Sequence, residues 1–289
     1  MLPKPETKLQ QAPAYSVPPV VRAIKVLRYI AAGRSVANQS QAAREIGINR
    51  TTLLRLLHTL EAEGMIEAKP GGNDYVLGNG MIELAAQKLS SLDVAQAAGP
   101  VLSALAERLG LSCHLGILDR REVLYVLRAT PEVHLVSNVR IGTRLPAHAS
   151  SMGRAILAHL SSEAVNDLFA GADLLAVTGQ TPTTMPALHL ELGRVRESSI
   201  VDSRSGFEQG IDSIAAPVFD HTGCVIAAIN ASGPESAFGG ARGRRASIIM
   251  AVREAAALIS RRLGYVRSAS RALAQGQLPA KVVSQAQRR

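Results

Sequence analysis

The segment from Ser40 to Glu63 constrains this chain more tightly than any other. Ser40 is a possible helix cap, Gln41-Ala42-Ala43-Arg44-Glu45-Ile46 follows with helical character, and Gly47 stops it. After Ile48, Asn49 offers a second cap. Leu53, Leu56, Leu57 and Leu60 then form one apolar stripe on a helix running from Arg50 to about Glu63. Its opposite face holds Arg50, Thr51, Thr52, Arg55 and His58. Two helices joined through a tight glycine turn form the arrangement in which the second enters the major groove of duplex DNA while the first braces it.

Each exposed residue has a reading on that basis. Arg50 and Arg55 can make two-pronged hydrogen bonds to guanine or grip phosphates, and sequence does not choose between these. Thr51 and Thr52 can offer hydroxyls and N–H groups at the positive end of the helix dipole. Ser40 and Gln41 open the bracing helix, and His58 is either a backbone contact or plainly exposed. The competing reading is a solvated helix face with Asn49 as its cap.

The flanks fit the same picture. From Pro19, the spacing of Val20, Ile24, Leu27 and Ile30 or Ala31 predicts an amphipathic helix ending near Gly33. After Gly64, Met65 to Ala68, a turn over Lys69-Pro70-Gly71-Gly72-Asn73-Asp74 and Tyr75-Val76-Leu77 predict a hairpin, the wing of a winged helix-turn-helix over 19–78. Lys69 and Asn73 are its candidates for the minor groove or its phosphates. Residues 1–18, with four prolines among polar residues, read as a flexible arm.

A formal charge of +9 favours a polyanionic partner, and an aromatic content of 3% without tryptophan disfavours a surface that stacks single-stranded bases. Cys113 and Cys224 stand far apart with no zinc-ligand spacing, so neither a disulfide framework nor a metal finger is expected, nor is any cofactor. There is no membrane-length apolar run and no secretory start, so a cytoplasmic protein without membrane contact is expected. No G-x-S-x-G elbow, H-E-x-x-H helix or phosphate-binding glycine loop is present, which argues against an enzyme. A non-specific basic packaging protein is a further alternative, but the large downstream half is excessive for that role.

That half reads as α+β. A helical linker over 79–95 is followed by a domain over 96–265 and a basic tail over 266–289. Gly99-Pro100 marks a kink or a helix start. CHLGILD, VLYVLRA and VHLVSNV predict strands; helices are expected over 150–160, over 161–169 and up to about Glu197. SIAAPVF and CVIAAINAS predict two more strands hinged at Asp220-His221-Thr222-Gly223. A last helix runs from about Arg244 to Leu263, preceded by a turn at Arg242-Gly243-Arg244-Arg245 that reads as solvated.

These pieces, in this order, resemble the IclR family of bacterial transcriptional regulators over roughly 19–265. The resemblance is carried by VRAIKVLRYI, AAREIGINRTTLLRLLHTLEAEGMIE and YVLGNGMIELA, then by RLPAHASSMGRAILAHL, GFEQGIDSIAAPVFDHTG, AAINASGP and ISRRLGY. It implies a GAF-like effector domain with a curved antiparallel sheet, a homodimer or homotetramer, double-stranded operator DNA as partner and a small organic acid as effector. Carried over position by position, it assigns effector contacts to Ser151, Met152, Ser203, Ser213, Asn230 and Ser232, with apolar walls from Leu145 and Ile211. A helix start near Ser151 and Met152 would present N–H groups to a carboxylate; the alternative is that Ser151 is only a cap and that Ser213 and Ser232 bond to backbone. The sequence departs from the family pattern at Leu53-Leu54, where alanine followed by histidine or tyrosine is frequent. It departs again at Ser203, where an acid is frequent, and at Ser213, where cysteine is.

Overall fold

A computed structural model describes residues 16–90, 92–131, 139–239 and 243–266. The chain forms two compact units, one ending at Ser91 and the other beginning at Leu92.

The first unit runs α1 (Pro18–Ala31), α2 (Gln39–Ile46), α3 (Arg50–Ala62), β1 (Ile66–Ala68), β2 (Tyr75–Leu77) and α4 (Asn79–Ser90). Its core joins Val26 and Ile30 of α1 to Ala42, Ala43 and Ile46 of α2, Leu53, Leu57 and Leu60 of α3, and Ile66. The helix expected from Arg50 begins there, because the Asn49 side chain accepts the Thr52 N–H at 2.7 Å. At the preceding turn Gly47 takes φ +79°, a left-handed conformation that glycine adopts without a side-chain penalty. Two expectations need correction. The cap of α2 is Asn38, which accepts from the Gln41 N–H at 3.1 Å, and Ser40 lies inside the helix; both residue types cap well, so composition does not rank them. In α1 the buried stripe is Val26 and Ile30, leaving Val20 55% and Ile24 43% exposed. The apolar residues fit a helical period in either phase, and packing on α3 and β2 selects one.

The hairpin pairs Ile66 with Leu77 and Ala68 with Tyr75. Asp74 closes its turn twice: Oδ2 takes the Lys69 ammonium at 2.7 Å, and Oδ1 accepts the N–H of the buried Val36 at 2.8 Å.

The second unit comprises α5 (Asp93–Leu109), β3 (Ser112–Asp119), β4 (Glu122–Ala129), β5 (Arg144–Pro146), α6 (Ser151–Leu157), α7 (Ser162–Phe169), α8 (Met185–Ser198), β6 (Val201–Glu208), β7 (Ile211–Phe219), β8 (Val225–Pro234), α9 (Glu235–Phe238) and α10 (Arg244–Arg262). Six strands form one curled antiparallel sheet in the order β5-β4-β3-β8-β7-β6. Helices α5 and α10 pack on each other and on the sheet, and α6 packs on β6, β7 and β8. Because strand side chains alternate between faces, His114, Gly116, Ser213, Ala215, Ala228 and Asn230 share the face that meets α6. Gly153 lets α6 approach: a Cβ there would lie 2.1 Å from the Ala147 carbonyl oxygen. Cys113 is buried on the opposite face, its thiol pushed up to about 12 by burial, which leaves it protonated and unreactive at neutral pH.

Several local readings change. Helix α5 continues through Pro100. VHLVSNV falls mostly on 132–138, outside the described residues, as do the tail from 267 and the arm up to 15. Strands β5 and β6 were not expected, being short or broken by polar residues. The turn before α10 is not simply solvated: Arg244 donates to the Leu109 carbonyl, and Arg245 pairs with Asp202 and with Asp212, whose side chain is fully buried.

The doubly used Asp74 carries a prediction. Lys69 and the Val36 N–H hold its carboxyl well below the usual carboxylate range. A lowered folded-state pKa contributes stability that is complete above the unfolded value near 4 and is lost as pH falls toward the folded one. Asp74→Ala is expected to destabilise the N-terminal unit by about 1–2 kcal/mol at pH 7. In urea titrations the gap from wild type should narrow below about pH 4; a gap independent of pH would contradict the assignment.

Candidate functional site

The first candidate surface is the outer face of α3. Arg50, Thr51, Arg55 and His58 are exposed and Thr52 is partly buried, while the leucine stripe points into the core. Arg50 is not loose: its Nε and Nη2 donate to Gln39 Oε1 at 3.4 and 3.2 Å. That contact brings the first turn of α2 alongside the first turn of α3. Gln39 is thus a member that sequence reasoning missed, although its place in the first turn of the bracing helix was a usable signal. Ser40 is exposed, and Gln41 donates from Nε2 to Glu45 on its own helix at 3.0 Å. In the wing Asn73 is exposed, whereas the Lys69 charge is partly cancelled by Asp74.

The second candidate is a cavity of about 50 Å³ between α6 and the sheet. Of the residues assigned by resemblance, Leu145, Ser151, Ser203, Ile211, Ser213, Asn230 and Ser232 all line it. Met152 does not: it is fully buried, with its thioether packed over Gly116. Strand pairing explains the gathering. Ser203 of β6 pairs with Ser213 of β7, and Ser213 with Ser232 of β8, so three neighbouring strands present a serine row. Ser150, not Ser151, caps α6, accepting the Gly153 N–H at 3.2 Å.

Ser151 is therefore free to bond across the cavity, and its hydroxyl lies 2.8 Å from that of Ser213. Asn230 Nδ2 donates to Ser213 Oγ at 3.0 Å, and Asn230 Oδ1 lies 2.9 Å from His114 Nδ1. With the amide so oriented, Nδ1 of His114 must be the donor. Burial pushes the His114 pKa down to about 4, so its imidazole is neutral, with Nε2 lacking a partner. Whichever way the Ser151–Ser213 bond runs, one hydroxyl hydrogen remains for an acceptor in the cavity. His114, Tyr125, Ser150 and Phe207 belong to this site or support it, and no sequence pattern singles them out. Exposed Glu208 stands at the lining, and Arg204 is an exposed strand residue 3.9 Å from Asp202. Among the described residues no His, Cys, Asp and Glu cluster could hold a metal ion, and no helix is long and apolar enough to cross a membrane.

Comparison with known proteins gives concordant matches. Residues 19–70 match the IclR helix-turn-helix domain, and residues 86–261 match the domain described as bacterial transcriptional regulator IclR C-terminal. The chain is 31% identical over 246 residues to the HTH-type transcriptional regulator XynR of Escherichia coli K12, covering 85% of this chain and 97% of that one. An IclR transcriptional regulator from Alicyclobacillus acidocaldarius aligns with a TM-score of 0.72 at 27% identity, over 86% of this chain and 100% of that one. An IclR homolog from Microbacterium hydrocarbonoxydans, solved in complex with 4-hydroxybenzoate, aligns with a TM-score of 0.73 at 27% identity, over 85% and 98% of the two chains. The proteins matched are regulators, not enzymes.

His114 makes the cavity's polar chain testable through pH. The unfolded chain takes up a proton near pH 6.5 that the folded chain refuses until about 4, so folding stability falls as pH drops through that window. The loss between pH 7 and pH 5 is about 2 kcal/mol from this group. His114→Phe should remove that part of the pH dependence, while buried His159, also held at about 4, keeps its own. Denaturant melts at the two pH values check this, and equal pH dependence in variant and wild type would refute it.

Proposed function

Because the chain belongs to the IclR family of bacterial transcriptional regulators, we propose that it recognises a specific operator in duplex DNA through α3 and that a small organic acid, bound in the GAF-like C-terminal unit, modulates that recognition. The observation that carries the DNA half is the exposed face of α3, with Arg50 held by Gln39 and the helix start fixed by the Asn49 cap. A side chain already restrained loses less freedom on docking. Arg55 reads a base edge or a phosphate beside it, Thr51, Thr52 and His58 contact the backbone, and Ser40 and Gln41 brace from α2. Lys69 and Asn73 lie along the minor groove.

The observation that carries the effector half is the serine row with its spare hydroxyl donor, which suits a carboxylate, carbonyl or hydroxyl oxygen. The relative solved with 4-hydroxybenzoate supports an acid of that kind. The protein acts in the cytoplasm as a homodimer or homotetramer, and paired copies of α3 read half-sites about 34 Å apart. Effector and operator each change the other's affinity by the same factor, because coupling between two binding sites is reciprocal.

Arg55→Ala is the direct test. Losing one guanidinium contact is expected to weaken binding to the operator by about 5- to 150-fold, equivalent to about 1–3 kcal/mol. Retained affinity for random DNA would identify a base contact, and a uniform loss a phosphate contact. Unchanged affinity for both in gel-shift titrations would remove α3 from the interface.

A further inference from the structure

The cavity beneath α6 is too small for the task just assigned to it. Its volume of about 50 Å³ holds one or two waters, whereas sites for small organic ligands usually start near 300 Å³. Ser203 lines this cavity and also lines a second one, a groove of about 390 Å³ alongside α8. Arg154 lines the groove, lies one turn along α6 from Ser151, and is only 7% exposed.

The bonding of Arg154 is incomplete. Nη1 donates to Glu191 Oε1 at 3.3 Å and Nη2 to Ser203 Oγ at 3.1 Å, while Nε has no acceptor. Nε and Nη2 form one edge of the guanidinium, the edge that a carboxylate engages with two parallel hydrogen bonds. Here that edge meets a single neutral hydroxyl. The charge is incomplete too. Glu191 is shared between Arg154 and Arg194, so this triad carries two guanidiniums against one carboxylate. Asp202, which also lines the groove, is already paired with Arg245 and Arg204. A buried cation with an unfilled edge is costly until an anion completes it.

We infer that the groove is the outer half of the effector site and that Arg154 receives the effector's carboxylate, displacing Ser203 Oγ from the Nε–Nη2 edge. The inference rests on the effector reading above and narrows it. The ligand carries a carboxylate at one end and a hydrogen-bond acceptor at the other. Its carboxylate sits on Arg154, and the distal acceptor reaches past Ser203 to the hydroxyl left over between Ser151 and Ser213. Ser203 thereby gains a reason: an acid at that position would fill the arginine edge permanently.

Isothermal titration of the full-length protein tests this, using benzoate, 4-hydroxybenzoate and two- to six-carbon hydroxy and dicarboxylic acids, each beside its carboxamide. Wild type should bind at least one acid 10-fold or more tighter than its amide. Arg154→Gln should bring that acid down to the level of the amide, with amide binding retained as proof of an intact fold. Ala187→Trp, at an exposed position of α8 that lines the groove, should abolish binding of the acid. Acid affinity within twofold of wild type in Arg154→Gln overturns the inference while leaving the effector reading in place. If that variant does not fold, undiminished acid binding in Ala187→Trp overturns it instead. Failure of wild type to bind any acid overturns the effector reading, and this inference with it.

Discussion

Polar side chains buried on one face of an otherwise apolar sheet must find partners, and that requirement organises the C-terminal unit. His114, Ser213 and Asn230 sit where hydrocarbon would pack more simply, each costing free energy unless bonded. The sheet register answers by placing Ser203, Ser213 and Ser232 on adjacent strands, and α6 answers by giving its cap to Ser150, which releases Ser151 to bond across. The chain of bonds is nearly closed, leaving over one hydroxyl hydrogen of the Ser151–Ser213 pair and the bare Nε2 of His114. A site of this kind is rigid because its members fix one another's donors and acceptors.

The N-terminal unit solves a different problem with similar means. Its elements are short, and the isolated helices would be marginal, so their ends must be fixed by specific bonds. Asn38 and Asn49 start α2 and α3, and Asp74 ties the wing turn to Val36. The two caps fix where α2 and α3 begin, and the Asp74–Val36 bond joins the wing to the segment before α2.

The legible parts of this architecture were those in which two independent signals fell on the same residues. The start of α3 was readable because a capping residue and the onset of a 3.6-residue period coincide at Asn49 and Arg50. The hairpin was readable from turn residues flanked by apolar pairs. The phase of α1 was not, since Val20 and Ile24 fit a helical stripe as well as Val26 and Ile30 do, and only tertiary packing separates them. Strand β6 was hidden because its sequence, Val201 to Glu208, alternates only briefly before a register shift beyond Ser203. Most of the candidate effector contacts came from family resemblance. His114 and Arg154 did not, because a lone histidine in a strand and a lone arginine in a helix carry no periodic signal. Their roles exist only once strands distant in sequence are paired.

The formal charge of +9 illustrates how little a sum says about a surface. Lys69 spends its charge on Asp74, Arg245 on Asp202 and Asp212, and Arg144 on Asp119 and Glu122. These cations belong to ion pairs that hold turns and strands, and counterions gain little by leaving them. What distinguishes Arg55 from Arg245 is therefore not charge but setting. One stands exposed on a helix face presented by its neighbours, and the other closes an ion-pair network. Arg154 falls between these cases. It is buried like a structural cation but only half satisfied, and the unfilled edge makes it a receptor for an anion that comes and goes.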